Sequence, residues 1–233
     1  MNTSGATAAA VAEPKSVVDR IIGIFVSPRA TMEDIAARPT WVVPLLIVMI
    51  ASVVGGYFLQ DVIADNTITQ MKEKNPNIPA EQLEMTAKWT RVSAWAAPLI
   101  VTPIFYVVLA AVFMFVGNTI LGGEAKFKTV FSMMCWSGIV SLLSSIVNIP
   151  VMINRGVMES ATSLGSLLPS EGDKTLLNQL FEQIDLFTIW WLVIMGFGMA
   201  AVYKFSTKKG MTTMFVLWGI YVVIAIALKS IFS

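Results

Sequence analysis

The chain has 233 residues, of which 56% are hydrophobic and 13% charged, and a formal net charge of +1. Soluble domains carry about 25% charged residues, so charge is depleted about twofold, and the balanced sign argues against a nucleic-acid partner, which needs a basic patch or stripe. With no histidine and the single cysteine Cys135, the composition excludes histidine zinc sites, histidine-based nucleophile triads, intrachain disulfides and multi-cysteine metal centres.

Residues 1–15 begin with small uncharged side chains and lack the basic region and apolar core of a secretory signal. They read as a disordered N-terminal tail, so the first apolar span is expected to stay as an anchor. Residues 16–40 read as two interfacial amphipathic helices. In the first, Val17, Val18, Ile21, Ile22 and Phe25 recur at helical spacing, with Asp19 and Arg20 opposite. This pattern suits a helix lying on a leaflet, with Ile21 and Phe25 as membrane-surface contacts. Ser27 and Pro28 restart the chain as N-cap and first helical residue, and the second helix stops before Pro39.

Five apolar runs without a charged side chain follow, at 41–60, 92–123, 129–154, 186–203 and 210–228. A helix rising 1.5 Å per residue needs about 20 residues to cross a hydrocarbon core of about 30 Å, and each run is long enough or nearly so. The fold class is therefore an all-α membrane protein: a five-helix transmembrane domain over 41–233, with short amphipathic interfacial helices.

Ser52 and Gly56 in the first run form a close-packing pair. The second run exceeds one perpendicular crossing and carries Pro98 and Pro103. A kinked helix explains this more simply than a re-entrant loop. The third run is polar for a membrane helix and is expected to end near Pro150, the third candidate kink. Its Ser141, Ser144, Ser145 and Asn148 stand at i, i+3, i+4 and i+7 and form a candidate polar stripe. Interhelical hydrogen bonding is the favoured reading of that stripe and a polar conduit the alternative. Residues 155–185 start as a loose segment and end in an amphipathic helix bearing Leu176, Leu177, Leu180, Phe181 and Ile184 on one face. Gly196 and Ala200 make a second close-packing pair. Lys208 and Lys209 mark a tight basic hairpin, a candidate membrane-surface contact for anionic lipid. Any functional cavity is expected between the second and third spans.

Five crossings put the termini on opposite sides. With the N-terminus cytoplasmic, the inside segments hold nine Lys and Arg and the outside segments seven, while ten of the fifteen acids fall outside. The inside segments are also shorter, so the N-terminus is expected in the cytoplasm and the C-terminus outside. The runs contain no acid or base for intramembrane proteolysis or ion-coupled transport, which argues against an enzyme, and no cofactor or metal site is expected.

The succession Ile24-Phe25-Val26-Ser27-Pro28, a short acidic helix, then Arg38-Pro39-Thr40-Trp41 entering the first span resembles bacterial members of the Yip (Ypt-interacting protein) domain family. Gly122 to Phe127 before the third span and Asn148-Ile149-Pro150 near its end are also similar. The resemblance covers about Val17 to the C-terminus and implies a five-helix inner-membrane protein with a cytoplasmic N-terminal region. Eukaryotic relatives act in vesicle trafficking by binding small GTPases and one another. Expected partners are the lipid bilayer and other membrane proteins or a second copy of the chain. The expected function is non-enzymatic organisation or regulation of membrane partners; the alternative is a passive channel, a lipid-handling protein or an accessory transport subunit.

Overall fold

Helix is the conformation that satisfies every backbone polar group within one segment, as a lipid environment demands, and it dominates here. A computed structural model describes residues 14–168 and 176–232, with side chains to 228. The expected tail up to residue 13 and the stretch 169–175 lie outside the described residues. Among those described are ten α-helices. They are α1 (Val17–Val26), α2 (Pro28–Ala37), α3 (Val42–Lys74), α4 (Ala80–Ala96), α5 (Pro98–Phe115), α6 (Phe127–Ser137), α7 (Val140–Arg155), α8 (Leu176–Gln183), α9 (Leu186–Tyr203) and α10 (Thr207–Phe232). A π-helical turn, Val116–Ile120, extends α5. Five stretches are long and apolar enough to cross a membrane: α3, α5 with its π turn, α6 with α7, α9, and α10. The chain is a five-span, all-α membrane protein.

The core surrounds α6. Val130 to Ser137 are consecutively buried and Trp136 is 0% exposed, enclosed by α2, α3, α5 and α9. Met133, Met134, Met195, Met199 and Met214 fill this interior, as unbranched, polarizable side chains do between irregular helix surfaces. Cys135 is buried among them. Large aliphatic side chains such as Ile50, Ile100, Ile146 and Val223 point outward, as a lipid-facing surface requires. In α8 the buried residue is Gln179, while Leu176, Leu177 and Leu180 are exposed. That inverted amphipathicity fits an interfacial helix.

Two spans are interrupted, the second at its expected proline bend and the third where none was expected. The long second run is two helices: 92–96 finish α4, and the crossing begins at Pro98. Ala97 between them keeps helical dihedrals, so the chain bends through the junction without re-entering. Pro98 has no N–H for the Ala94 carbonyl four residues back, and Gly56 of α3 lies against that carbonyl. A Cβ at position 56 would stand 2.0 Å from the Ala94 oxygen. The third span breaks at Gly138 and Ile139, without a proline. There the ladder tightens to three-residue bonds from Ser141 N to Gly138 O (2.9 Å) and Leu142 N to Ile139 O (3.1 Å). The Ser137 and Ser141 hydroxyls donate back to Met134 O and Gly138 O, a competition that bends helices. Pro103 lies inside α5, and Pro150 lies inside α7 without ending it, since the helix continues to Arg155.

The close-packing pair Gly196 and Ala200 receives α10: a Cβ on Gly210 would meet Gly196 O at 2.3 Å and Ala200 N at 3.0 Å. One end of the bundle holds the turns at 121–126 and 204–206, with Lys126, Lys128, Lys204, Lys208 and Lys209, and is termed the basic end. The opposite, far end holds residues 156–168 and 176–185 and the α3–α4 connection.

Candidate functional site

Three constellations gather polar or charged groups, and a fourth surface leaves large apolar groups without cover. The first is built by the N-terminal hairpin. Ser16 caps α1, accepting from Asp19 N at 3.1 Å, while the Asp19 carboxylate accepts from Ser16 N at 3.2 Å. The Ser16 hydroxyl, which also donates to Asp19 Oδ2 at 2.6 Å, and then the Ser16 N–H hold the Asp19 carboxyl below its usual range. Ser27 takes the N-cap position of α2 but its hydroxyl makes no cap bond; Pro28 starts the helix. The hairpin docks on the bundle instead of lying only on a leaflet. Ile24, Met32 and Ile35 are buried, and the Phe25 ring meets Trp190 edge-on at 5.8 Å. Met32 lies beside Gly198. Residues 190 and 198 are about 12 Å apart along a helix, so the hairpin follows the side of α9.

Arg20, expected on the solvated face, is 5% exposed. Its Nε donates to Asp34 Oδ2 at 2.8 Å, Nη1 to Thr40 Oγ1 at 2.7 Å and Nη2 to Arg38 O at 3.1 Å. Its guanidinium stands 5.5 Å from the Trp136 ring centre, and Trp136 Nε1 donates to Thr40 O at 2.7 Å. A planar fork of five donors suits this site, whereas a lysine would supply a point charge. Thus α1, α2, the 38–40 connector and the third span are fastened together by one arginine. The apolar runs carry no charge, but the tertiary fold sets a paired one against them.

The second constellation lies at the far end. Asn148 is buried; its Nδ2 donates to Ser144 Oγ and Thr162 Oγ1, each at 3.2 Å, and its Oδ1 accepts from Ala161 N at 3.0 Å. Ser160 Oγ lies 3.1 Å from Asn148 Oδ1 and 2.7 Å from Asp185 Oδ2. Its one proton belongs to the nearer, charged acceptor. Thr162 donates to the same carboxylate oxygen. The other, Oδ1, caps α9 by accepting from Phe187 N (2.8 Å) and Thr188 N (3.1 Å). Leu164 N to Ile184 O (2.9 Å) and Leu186 N to Thr162 O (3.1 Å) complete the tie. The segment read as loose is therefore fastened at 160–166. Gly156, at φ 66°, ends α7, and its carbonyl accepts from Asn66 Nδ2 of α3 at 3.1 Å.

Burial pushes the Asp185 carboxyl upward, but hydrogen bonds from Thr162, Ser160, Thr188 and Phe187 outweigh it, and the carboxyl is held below its ordinary value. Such a group stabilises the fold above its unfolded pKa of about 4, and the contribution is lost as pH falls through the lowered folded value. Amide exchange protection at 160–166, corrected for intrinsic rates, is expected to hold at pH 5 and fall only below about pH 4. Asn148→Leu should weaken the same segment at neutral pH by about 1–3 kcal/mol, the cost of leaving buried polar partners unpaired. Proteinase K cleavage there should quicken correspondingly; an unchanged rate would show that Asn148 does not hold the loop.

The third constellation is the basic end. Asn118 clamps the π turn onto Ala125, accepting from its N and donating to its O, both at 3.1 Å. The Tyr203 hydroxyl donates to Phe113 O at 3.3 Å. Lys209 Nζ lies 3.2 Å from Leu121 O and 3.7 Å from the Phe205 ring centre. Lys208 is exposed beside it. An open groove of about 610 Å³ runs between the π turn and the start of α10. It lies between spans two and five.

The fourth surface is α4, which packs mainly on α3 and buries none of its side chains. Trp89 is 69% exposed and Met85 53%. With Gln82, Thr86 and Ser93 they line a shallow depression along α4. The polar part of α3 from Asp61 to Lys74 adds about 20 Å of helix beyond its apolar run, and Arg91 of α4 meets Asp61 at 2.7 Å.

Of the sequence-predicted residues, Ser144 and Asn148 come together. Ser141 is exposed and bonds its own helix, and Ser145 is half-buried. Ile21 and Phe25 are half-buried against the core, while Val18, Ile22 and Val26 take the outward face of α1. Sequence reasoning missed Arg20, Asp34, Ser160, Thr162 and Asp185. Only Asp185, an acid one residue before an apolar helix, carried a local signal, that of an N-cap.

The comparisons agree with this architecture. The chain is 28% identical over 210 residues to membrane protein YknW of Bacillus subtilis (strain 168), covering 88% of each chain. No solved structure matches. The Yip1 domain matches residues 22–228, from the first helix of the docked hairpin through all five spans, and the chain belongs to the Yip1 domain family.

Proposed function

We propose that this protein is a non-enzymatic organiser of membrane-protein partners, in a cell inner membrane, with its N-terminus in the cytoplasm and its C-terminus outside. The observation that carries the reading is α4, a helix mostly preceding the second span that has no fully buried side chain and displays Trp89 and Met85 one turn apart. Tryptophan and methionine are enriched at protein interfaces, and an exposed aromatic of this size is a typical binding anchor. The charged groups of the interior support the non-enzymatic part: Arg20 and Asp34 satisfy each other, and all four acceptor directions of Asp185 are used within the chain. A conduit along span three has less support, because Asn148 is occupied in holding the far-end loop.

A photo-cross-linking residue at Thr86 in native membranes is expected to give discrete protein adducts that disappear with Trp89→Glu. Folded protein giving only lipid adducts would refute the reading. The orientation is tested in parallel: Trp89→Cys should react with a membrane-impermeant maleimide in intact cells. Protection until lysis would reverse the topology.

A further inference from the structure

We propose that the groove at the basic end binds one anionic phospholipid of the bilayer, independently of the partner surface on α4. Its two halves differ in chemistry. Val116 and Ile120 of the π turn face Val216 and Ile220 of α10 as an apolar channel, and Ser206, Lys208, Lys209, Thr212 and Thr213 form its mouth. No carboxylate is among its described lining residues. A volume of about 610 Å³ lies within the 300–1,000 Å³ of ordinary ligand pockets, and the groove is open along its side, where acyl chains of the surrounding bilayer have access.

The geometry favours a lipid over a soluble anion. The mouth lies at the start of α10, which is long and apolar enough to cross a membrane, and the channel continues along an exposed side of that helix, where Val216 and Ile220 are open. Lys209 is already oriented by the Leu121 carbonyl and the Phe205 ring. Lys208 has no side-chain partner among the described residues and is free to meet a phosphate, with the nearby hydroxyls as further donors. The groove exists because the π turn carries the chain out of α-helical register before Leu121, whose N–H bonds back to Val116 O at 2.9 Å. Such single-turn π segments occur frequently at functional sites. Basic residues near a bilayer surface attract anionic headgroups, and the apolar channel converts that general attraction into a defined position.

The test is native mass spectrometry of the purified full chain, titrated with dioleoylphosphatidylglycerol or dioleoylphosphatidylcholine. One tightly retained phosphatidylglycerol is expected, favoured over phosphatidylcholine by about tenfold. Lys208→Gln with Lys209→Gln should abolish the preference. Lys208→Gln alone, at an exposed position without a partner, should weaken it severalfold and serves if the double variant does not fold. Val216→Trp keeps both charges but fills the channel, and should also lose the retained lipid. Equal retention of the two lipids overturns the proposal, as does full binding by the lysine variants. Retained binding in Val216→Trp would reduce the effect to unlocalised surface attraction, and displacement by glycerol 3-phosphate at equal concentration would identify a soluble anion as the ligand.

Discussion

Asp34→Asn is expected to release the N-terminal hairpin and to cost about 3–5 kcal/mol, the range found when one partner of a buried ion pair is removed. Arg20 and Asp34 are 5% and 9% exposed in their side chains, with 2.8 Å between Arg20 Nη2 and Asp34 Oδ2. Removing the negative partner leaves a guanidinium buried against Trp136 with Thr40 and the Arg38 carbonyl as neutral acceptors. The remaining groups do not offset that charge, because Arg38 brings a second positive one toward the same carboxylate at 3.6 Å. Two readouts apply: thermal unfolding in detergent, and trypsin cleavage after Arg20 and Arg29, which should accelerate as the hairpin undocks. The double replacement Arg20→Met with Asp34→Leu should recover most of the loss, since apolar groups of similar volume replace buried ion pairs with little penalty. Glu33→Gln breaks the exposed Arg29–Glu33 pair and should change stability by less than about 1 kcal/mol. Wild-type behaviour of Asp34→Asn in both assays would show that the pair does not hold the hairpin.

Gly56→Ala is expected to destabilise the junction of α3 and α4 by about 1–3 kcal/mol or more, the usual range for overpacking. The added methyl would fall 2.0 Å from Ala94 O, 2.7 Å from Ala94 C and 3.1 Å from Trp95 Cα. These are backbone atoms, so no side-chain rotation relieves the overlap and the helices must separate. The site is also where Pro98 removes a ladder bond, leaving α4 and α5 less able to resist bending. Gly219→Ala is the matched control: its Cβ meets nothing within 4 Å, and helix propensity favours alanine by up to about 1 kcal/mol. Thermal midpoints should therefore move in opposite directions, and equal shifts would rule out backbone contact as the cause.

Much of the architecture was legible because a membrane imposes length and polarity on each crossing segment. The absence of charge from 41–60 and 186–203 sufficed to place two spans. The pairs Ser52–Gly56 and Gly196–Ala200 announced close helix contacts, and Gly56, Gly196 and Ala200 meet neighbouring helices as that spacing suggests. Prolines were a weaker guide. Pro98 marks a true junction, yet Pro150 sits within a continuing helix, and the break in span three occurs where serine hydroxyls compete for backbone carbonyls at 134–142. No local pattern distinguishes those serines from ones that merely decorate a helix.

The sites were less legible, for a reason visible in α1. Its periodicity correctly shows an amphipathic helix, but an apolar stripe does not say whether lipid or protein covers it. The docked hairpin uses Ile24 and Phe25 for the bundle and leaves Val18, Ile22 and Val26 outside. Asn148 likewise stood out as a polar residue in an apolar run, whereas its partners Ser160 and Thr162 looked like ordinary loop residues until the chain returned to the start of α9.

The sequence by itself determined that this chain is an all-helical membrane protein of five spans, because the exclusion of charge from lipid is written into each segment separately. Only the tertiary structure decided where charge and polarity meet. Arg20 finds Asp34 and Trp136, Asn148 finds the far-end loop, and Lys208 comes to rest beside a π turn about 90 positions earlier in the chain, because α10 returns to the end of α5. Those encounters depend on distances between segments remote in sequence, which side-chain periodicity within one segment does not encode.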